Sequence, residues 1–307
     1  MTVTGVRIAV GKLLLLTGVV LLLFIPYLLW GTDIVAAQSQ ATLRSELART
    51  LASRPVDHPS STSPPATFGG SPALAPPLAD PPVGTAVGTI HIPAIGLSMA
   101  VVEGTGSAEL RMGPGHYTGT PLPGEAGNSA IAGHRTTYLR PFYSLNALRP
   151  GDRIIVTTVQ GTFTYRMTSS LVVSPDDVAV VAPSSFPELT LTTCNPRWSA
   201  TQRLVVHARL AASTLSSGAT DPSATVERLT PAARRRDAAA LSGHGGHWPP
   251  ALAWGAGVLL LAVALDVVRR RLAGGPRVAV LVVGALAWLG VLFFFFGAVG
   301  PLLPASF

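Results

Sequence analysis

Three long apolar runs frame the chain, and between them the pattern shortens to alternation. Leu13 to Trp30 is an 18-residue run without a charge. Ala251 to Val268 is almost as apolar, with Asp266 close to its end, and Val278 to Gly300 is apolar throughout, including four consecutive phenylalanines from Phe293 to Phe296. A helix needs roughly 20 such residues to cross a bilayer, so the pattern predicts three spans.

The stretch from Thr85 to about Leu210 reads differently. Val87 to Ile92 alternates like a strand before Pro93, Asn128 to Ala132 is a short strand, and Arg153 to Val159 and Thr162 to Thr168 flank Gln160-Gly161 as a hairpin. Leu171 to Val173, Glu188 to Cys194 and Arg203 to Leu210 add further strands. Seven or eight short strands, punctuated by Gly and Pro, predict one all-β barrel or sandwich. Pro141 to Leu148 is the one short helix expected within it, and Gln38 to Arg54 a helix ahead of it.

Two segments break the pattern. Pro55 to Pro82 carries nine prolines among Ser, Ala and Gly, and Ala211 to Pro250 is again Ser-, Ala-, Gly- and Pro-rich. Such composition does not bury enough apolar area to offset its ordering entropy, so both read as extended spacers. The expected organisation is a cytoplasmic tip and membrane anchor over 1–30, a Pro-rich linker over 31–84, a barrel over 85–212, a second linker over 213–250 and two spans over 251–300.

Charge orients this arrangement. Arg7 and Lys12 precede the first span, and Arg269, Arg270, Arg271 and Arg277 fill the loop between the other two. Both sets belong in the cytoplasm by the positive-inside rule, which places Gly31 to about Pro250 outside the cell. The formal net charge is +7, but residues 31–250 hold 16 Arg against 14 acids, so the exported part carries only +2. The basicity records topology and argues against a nucleic-acid partner. Arg234-Arg235-Arg236 reads as a solvated run, with anionic lipid headgroups as the second reading. Val35-Ala36-Ala37 resembles a signal-peptide cleavage site, but 18 apolar residues exceed the usual h-region of roughly 7–15, which favours an uncleaved anchor.

The chain has one cysteine, Cys194, so no intramolecular disulfide forms. Cys194 ends the strand Leu189 to Cys194, just before Asn195-Pro196. A thiol at a strand end is placed to meet a substrate; the alternative is a small buried hydrophobe. A nucleophilic thiol needs a base or a cation beside it. His134 is the best placed histidine, at the end of the strand Asn128 to Ala132, after Gly133. His116, in a Gly/Pro loop, is a weaker competitor. His91 and His207 lie in strands and read as structural, and His58, His244 and His247 lie in the linkers. Arg203, nine residues after Cys194, is the candidate oxyanion partner, with Arg197 as competitor. One Cys and scattered His do not make a zinc site, and no cofactor is called for. Residue chemistry alone reaches a Cys-His-Arg site and stops there.

Longer motifs carry a resemblance. Gly113 to Gly124 reads GPGHYTGTPLPG, Gly127 to Thr137 reads GNSAIAGHRTT, Pro141-Phe142 and Leu148 to Asp152 (LRPGD) follow, and Thr190 to Leu210 reads TLTTCNPRWSATQRLVVHARL. Together they resemble the sortase family, most closely its class E members from actinobacteria, over the whole predicted barrel. The resemblance implies an eight-stranded sortase β-barrel with Cys194 as nucleophile, His134 as acid and base, and Arg203 as the arginine that steadies the oxyanion or the substrate. Thr193 and Tyr117 are implied pocket residues. It further implies cleavage of a LAxTG- or LPxTG-like signal between Thr and Gly, with a thioester on Cys194. The partners implied are secreted proteins with C-terminal sorting signals and, as acceptor, a peptidoglycan precursor or a pilin-like amine. Two features depart from the family pattern: the two C-terminal spans, and Asn195 where a His is expected. A catalytically silent barrel that binds sorting signals or wall polymers is the alternative. An L,D-transpeptidase is disfavoured, because Cys194 sits in Thr-Thr-Cys-Asn-Pro rather than in a Ser-x-Gly-Cys-like context.

Overall fold

The computed structural model describes residues 3–53, 72–216, 248–271 and 276–299. Two compact units divide the chain: residues 1–32 with 245–304, and residues 33–244 with the last three.

The first unit is helical. It contains α1 (Val3–Pro26) and a π-helical turn (Tyr27–Gly31), and its last two helices are α4 (Trp248–Arg271) and α5 (Pro276–Val299). α4 and residues 278–299 of α5 are long and apolar enough to cross a membrane, with mean hydropathy 2.2 and 2.7. The apolar part of α1, Leu14–Pro26, is shorter than a full span. Trp288 Nε1 donates to the Val258 carbonyl at 3.1 Å, and Tyr27 meets Phe293 edge-on with ring centroids 5.2 Å apart.

The second unit is a closed eight-stranded barrel in the order β1-β2-β3-β4-β7-β8-β6-β5. The strands are β1 (Ala86–Ile92), β2 (Leu97–Glu103), β3 (Gly115–His116), β4 (Asn128–Ala132), β5 (Arg153–Thr158), β6 (Gly161–Val173), β7 (Glu188–Asn195) and β8 (Gln202–Leu215). Helix α2 (Thr32–Ala52) precedes the barrel and the single turn α3 (Ser107–Leu110) sits between β2 and β3. Alternation fills the interior: Ile90 and Ile92 from β1, Ile154 and Val156 from β5, Phe163 and Tyr165 from β6, Leu189 and Leu191 from β7, and Val206 and Ala208 from β8 are buried in one cluster. Each large aliphatic or aromatic side chain there is worth about 1.5–3 kcal/mol of burial. Most neighbours are antiparallel, but β4 runs parallel to β7, with Ala132 opposite Thr192.

The structure corrects several expectations. Leu97–Glu103 and Gly115–His116 are strands that the pattern did not announce, and the two pieces 162–168 and 171–173 are one strand with a register shift between Met167 and Ser169. No helix spans Pro141 to Leu148; one 3₁₀ turn, Leu145–Ala147, takes its place. Phe142, Leu145 and Leu148 are the segment's buried large hydrophobic residues, and their spacing of three fits 3₁₀ rather than α geometry.

The linker over 31–84 is not a free spacer at either end. Gln40 Oε1 accepts from Ala100 N–H at 2.8 Å while its Nε2 donates to the Ala100 and Met112 carbonyls. Leu43 packs on Ala100 and Val102. Further along, Ala75 joins the barrel core and its N–H donates to the Gly124 carbonyl at 2.9 Å. Residues 54–71 and 217–247, which hold the rest of both spacers, Arg234 to Arg236, His58 and His244, lie outside the described residues, as does His247.

His116 is not a site base. It lies fully buried in β3, and its Nδ1 is 2.8 Å from Oε2 of the equally buried Glu103. Burial alone lowers its pKa, but the charge of Glu103 and the hydrogen bond to it outweigh that and raise it above 6.5. A raised histidine contributes stability that is fully present below the unfolded value and lost as pH rises through the folded one. The thermal midpoint of the barrel is therefore expected to fall as pH rises past neutrality. In Glu103→Gln, measured by the same pH series of melts, that fall is expected to disappear.

Candidate functional site

Register explains why His134 and Cys194 come together. β4 and β7 are parallel, and Ala132 pairs with Thr192. The ladder continues one step beyond β4, where Gly133 N–H donates to the Thr192 carbonyl at 3.0 Å. Side chains two apart along a strand share a face. His134 and Cys194 thus leave the barrel on the same face as Ala132 and Thr192. From the other side β8 pairs antiparallel with β7 and sets Arg203 opposite Cys194. His134, Cys194, Arg203, Tyr117 and Thr193, the five residues expected from the sequence, all line one small open depression, together with Thr105 and Leu110.

The two pocket residues differ in what their polar groups do. The Tyr117 hydroxyl is 2.9 Å from Thr192 Oγ1. Thr193 Oγ1 donates to the Gly133 carbonyl at 2.7 Å and so ties the end of β7 to the residue before His134. Gly133 has no room for a side chain, because a Cβ there would meet the Phe142 ring at 2.7 Å.

Burial sets the protonation of the pair. The His134 imidazole is pushed down to about 4, first by burial and then by the Arg111 guanidinium. Burial pushes the Cys194 thiol up, while Arg203 and Arg135 pull it back. At neutral pH the resting pair is thus neutral thiol beside neutral imidazole, with thiolate a minority that the two arginines favour. Alkylation of Cys194 by iodoacetamide, followed by mass spectrometry, is expected to inflect above the thiol's ordinary 9.0. Arg203→Gln is expected to move the inflection higher still. A rate already level at neutral pH shows a standing thiolate and overturns this assignment.

Arg203 is nearly buried; its Nη1 donates to the Ala200 and Gln202 carbonyls. Those bonds fix the guanidinium at the lip beside Cys194.

Sequence reasoning missed Arg135 and Tyr138. Arg135 Nη1 donates to the Cys194 carbonyl at 3.0 Å and to Asn195 Oδ1 at 2.7 Å, and its Nη2 donates to Asn146 Oδ1. It clamps the backbone of Cys194 from the residue after His134. Asn195, the departure from the family pattern, is its partner. Tyr138 lays its ring beside His134 with centroids 5.0 Å apart. Arg197, the expected competitor of Arg203, instead stacks on Tyr143 at 4.2 Å. Among the described residues no group of three or more His, Cys, Asp or Glu forms a metal-binding cluster.

The chain is similar to known proteins over the barrel. Residues 90–211 match the model of the sortase domain. Over 218 residues the chain is 34% identical to sortase SrtE1 of Streptomyces coelicolor, covering 66% of this chain and 56% of that protein. It is 35% identical to sortase D of Bacillus subtilis over 117 residues, covering 38% and 58%. The chain thus spans little more than half the length of either relative. A solved structure of sortase E from Streptomyces avermitilis is 37% identical, with TM-score 0.41, over 46% of this chain and 97% of that one.

Proposed function

The chain belongs to the sortase family, and from that premise we propose that its barrel is the catalytic part of a membrane-anchored cysteine transpeptidase working outside the cell. What supports the reading is the convergence of Cys194, His134 and Arg203 on one depression from β7, the end of β4 and β8.

The substrate is a secreted protein ending in a LAxTG- or LPxTG-like sorting signal. Its Thr carbonyl enters beside Cys194. The thiol proton passes to His134, and the sulfur attacks the carbonyl carbon. Arg203 donates to the oxyanion that forms. Collapse breaks the Thr–Gly bond. The imidazolium gives its proton to the departing glycine amine, and a thioester remains on Cys194. An acceptor amine, from a peptidoglycan precursor or a pilin-like lysine, then loses a proton to His134 and attacks the thioester. The new amide leaves and the thiol is restored. Tyr117 and Thr193 shape the wall of this site. α1, α4 and α5 hold the barrel at the membrane, and the basic residues flanking them set its orientation.

The test incubates the full chain in detergent with a quenched LAxTG peptide. Cleavage between Thr and Gly, with the acyl fragment's mass on Cys194 and its transfer to an added amine, is the expected result. A folded barrel that neither cleaves nor acylates with LAxTG or LPxTG peptides sinks the proposal.

A further inference from the structure

The loop that carries His134 has a backbone its residue types do not favour. Tyr138, Leu139 and Arg140 have φ of 53°, 64° and 50°. None is glycine, and in L-residues this left-handed geometry sets Cβ against the following carbonyl, so consecutive examples are rare. Turn bonds within the loop, such as Arg140 N–H to the Thr137 carbonyl and Phe142 N–H to the His134 carbonyl, close it but do not dictate its hand.

Leu139 packs on the barrel core, and a polar contact from outside comes from Asp33, in the first turn of α2. Its Oδ1 accepts from Leu139 N–H at 2.7 Å, and its Oδ2 is 3.2 Å from Arg140 Nη2. α2 is itself fixed to the barrel by the Gln40 bonds to β2 and by Arg44 Nη2, which donates to the Ser98 carbonyl at 2.8 Å. A rigid path therefore runs from β2 through α2 and Asp33 to residues 138–140. The Tyr138 ring at the start of that left-handed run is the surface beside the His134 imidazole.

We infer that Asp33 is a positioning residue for His134, holding through Leu139 and Tyr138 the wall against which the imidazole turns. This rests on the reading of His134 as the group that moves the proton. The hydrogen bond to Leu139 carries the effect; the ion pair to the half-exposed Arg140 adds little, as exposed pairs do.

The experiment uses the full chain in detergent and the quenched LAxTG peptide. Asp33→Ala is expected to lower kcat about ten-fold with KM within two-fold, since a misdirected base costs rate rather than binding. Asp33→Asn keeps an acceptor for Leu139 N–H and is expected to stay within about three-fold of the parent. Arg140→Gln is expected to match the parent. Adding Leu139→Gly to Asp33→Ala is expected to restore most of kcat, because glycine adopts the left-handed geometry without strain. Parent-like kcat in Asp33→Ala overturns the inference. So does a loss in which kcat, KM and the thermal midpoint fall together and Leu139→Gly recovers nothing. A parent chain inert to every peptide sinks the transpeptidase reading itself, which keeps the two failures apart.

Discussion

On the proposed mechanism Cys194→Ala is expected to bring peptide cleavage down to background, a loss of at least about 10,000-fold in kcat, while the barrel keeps its thermal midpoint. The thiol sits at the lip of the depression rather than in the interior cluster, so removing it leaves little cavity. On the proposed mechanism the loss is chemical, because it removes the thiol that carries the thioester. Arg203→Ala falls less far, about 100- to 1,000-fold, the range for one lost oxyanion donor. His134→Ala leaves Cys194 able to react with iodoacetamide at high pH but unable to protonate the leaving amine, so turnover fails while alkylation persists. The measurement is a progress curve for each variant, with alkylation as the parallel readout. An Arg203 variant as inert as Cys194→Ala moves the arginine from transition-state stabilisation to a requirement for folding or substrate entry.

Gly124→Ala is expected to be a strongly damaging small change in the barrel. Gly124 has φ +102°, a conformation that side chains disfavour, and a Cβ there would collide with the Phe163 ring. Phe163 is fully buried in the core, so the ring has nowhere to retreat. The same residue donates its N–H to the Tyr165 hydroxyl at 2.7 Å and accepts from Ala75 through its carbonyl. Backbone strain and overpacking together cost about 3 kcal/mol or more. Equilibrium unfolding of the variant against the parent checks it, and a difference under about 1 kcal/mol contradicts the packing described here. Gly151, also left-handed at φ +96° but with open space around it, supplies the control: Gly151→Ala bears the strain without the clash.

The reach of the sequence differs from element to element. β1, β4 and β5 were legible because each alternates or is bounded by Gly and Pro. β2 was not, since Ala100 and Val102 on its outer side are covered by Leu43 of α2. A strand buried on both faces loses the period that announces it. β3 escaped because two residues between glycines and prolines carry no pattern, although its pairing with β2 and β4 helps to close the barrel. Cys194, His134 and Arg203 were reached from strand ends and motif. Arg135 was overlooked although it stands inside the Gly-His-Arg motif, because its partners lie 59 and 60 positions away and only the fold brings them near. Asp33 lies more than a hundred positions from the loop it holds, and neither residue type nor spacing flags such a link.

The parallel pairing of β4 with β7 has a consequence for how the protein comes into being. The ladder joins residues 128–132 to 188–192, so the thiol and the imidazole meet only through a contact that closes a loop of about sixty residues. Contacts of such separation form late and slowly, since the entropy of closing the loop must be met before the contact stabilises anything. A chain still being made holds an ordinary cysteine and an ordinary histidine far apart. Residues 188–194 follow β4 by more than fifty positions, so Cys194 cannot come beside His134 until β7 has docked on β4. On the proposed mechanism, reactivity is thereby postponed until the barrel is shut.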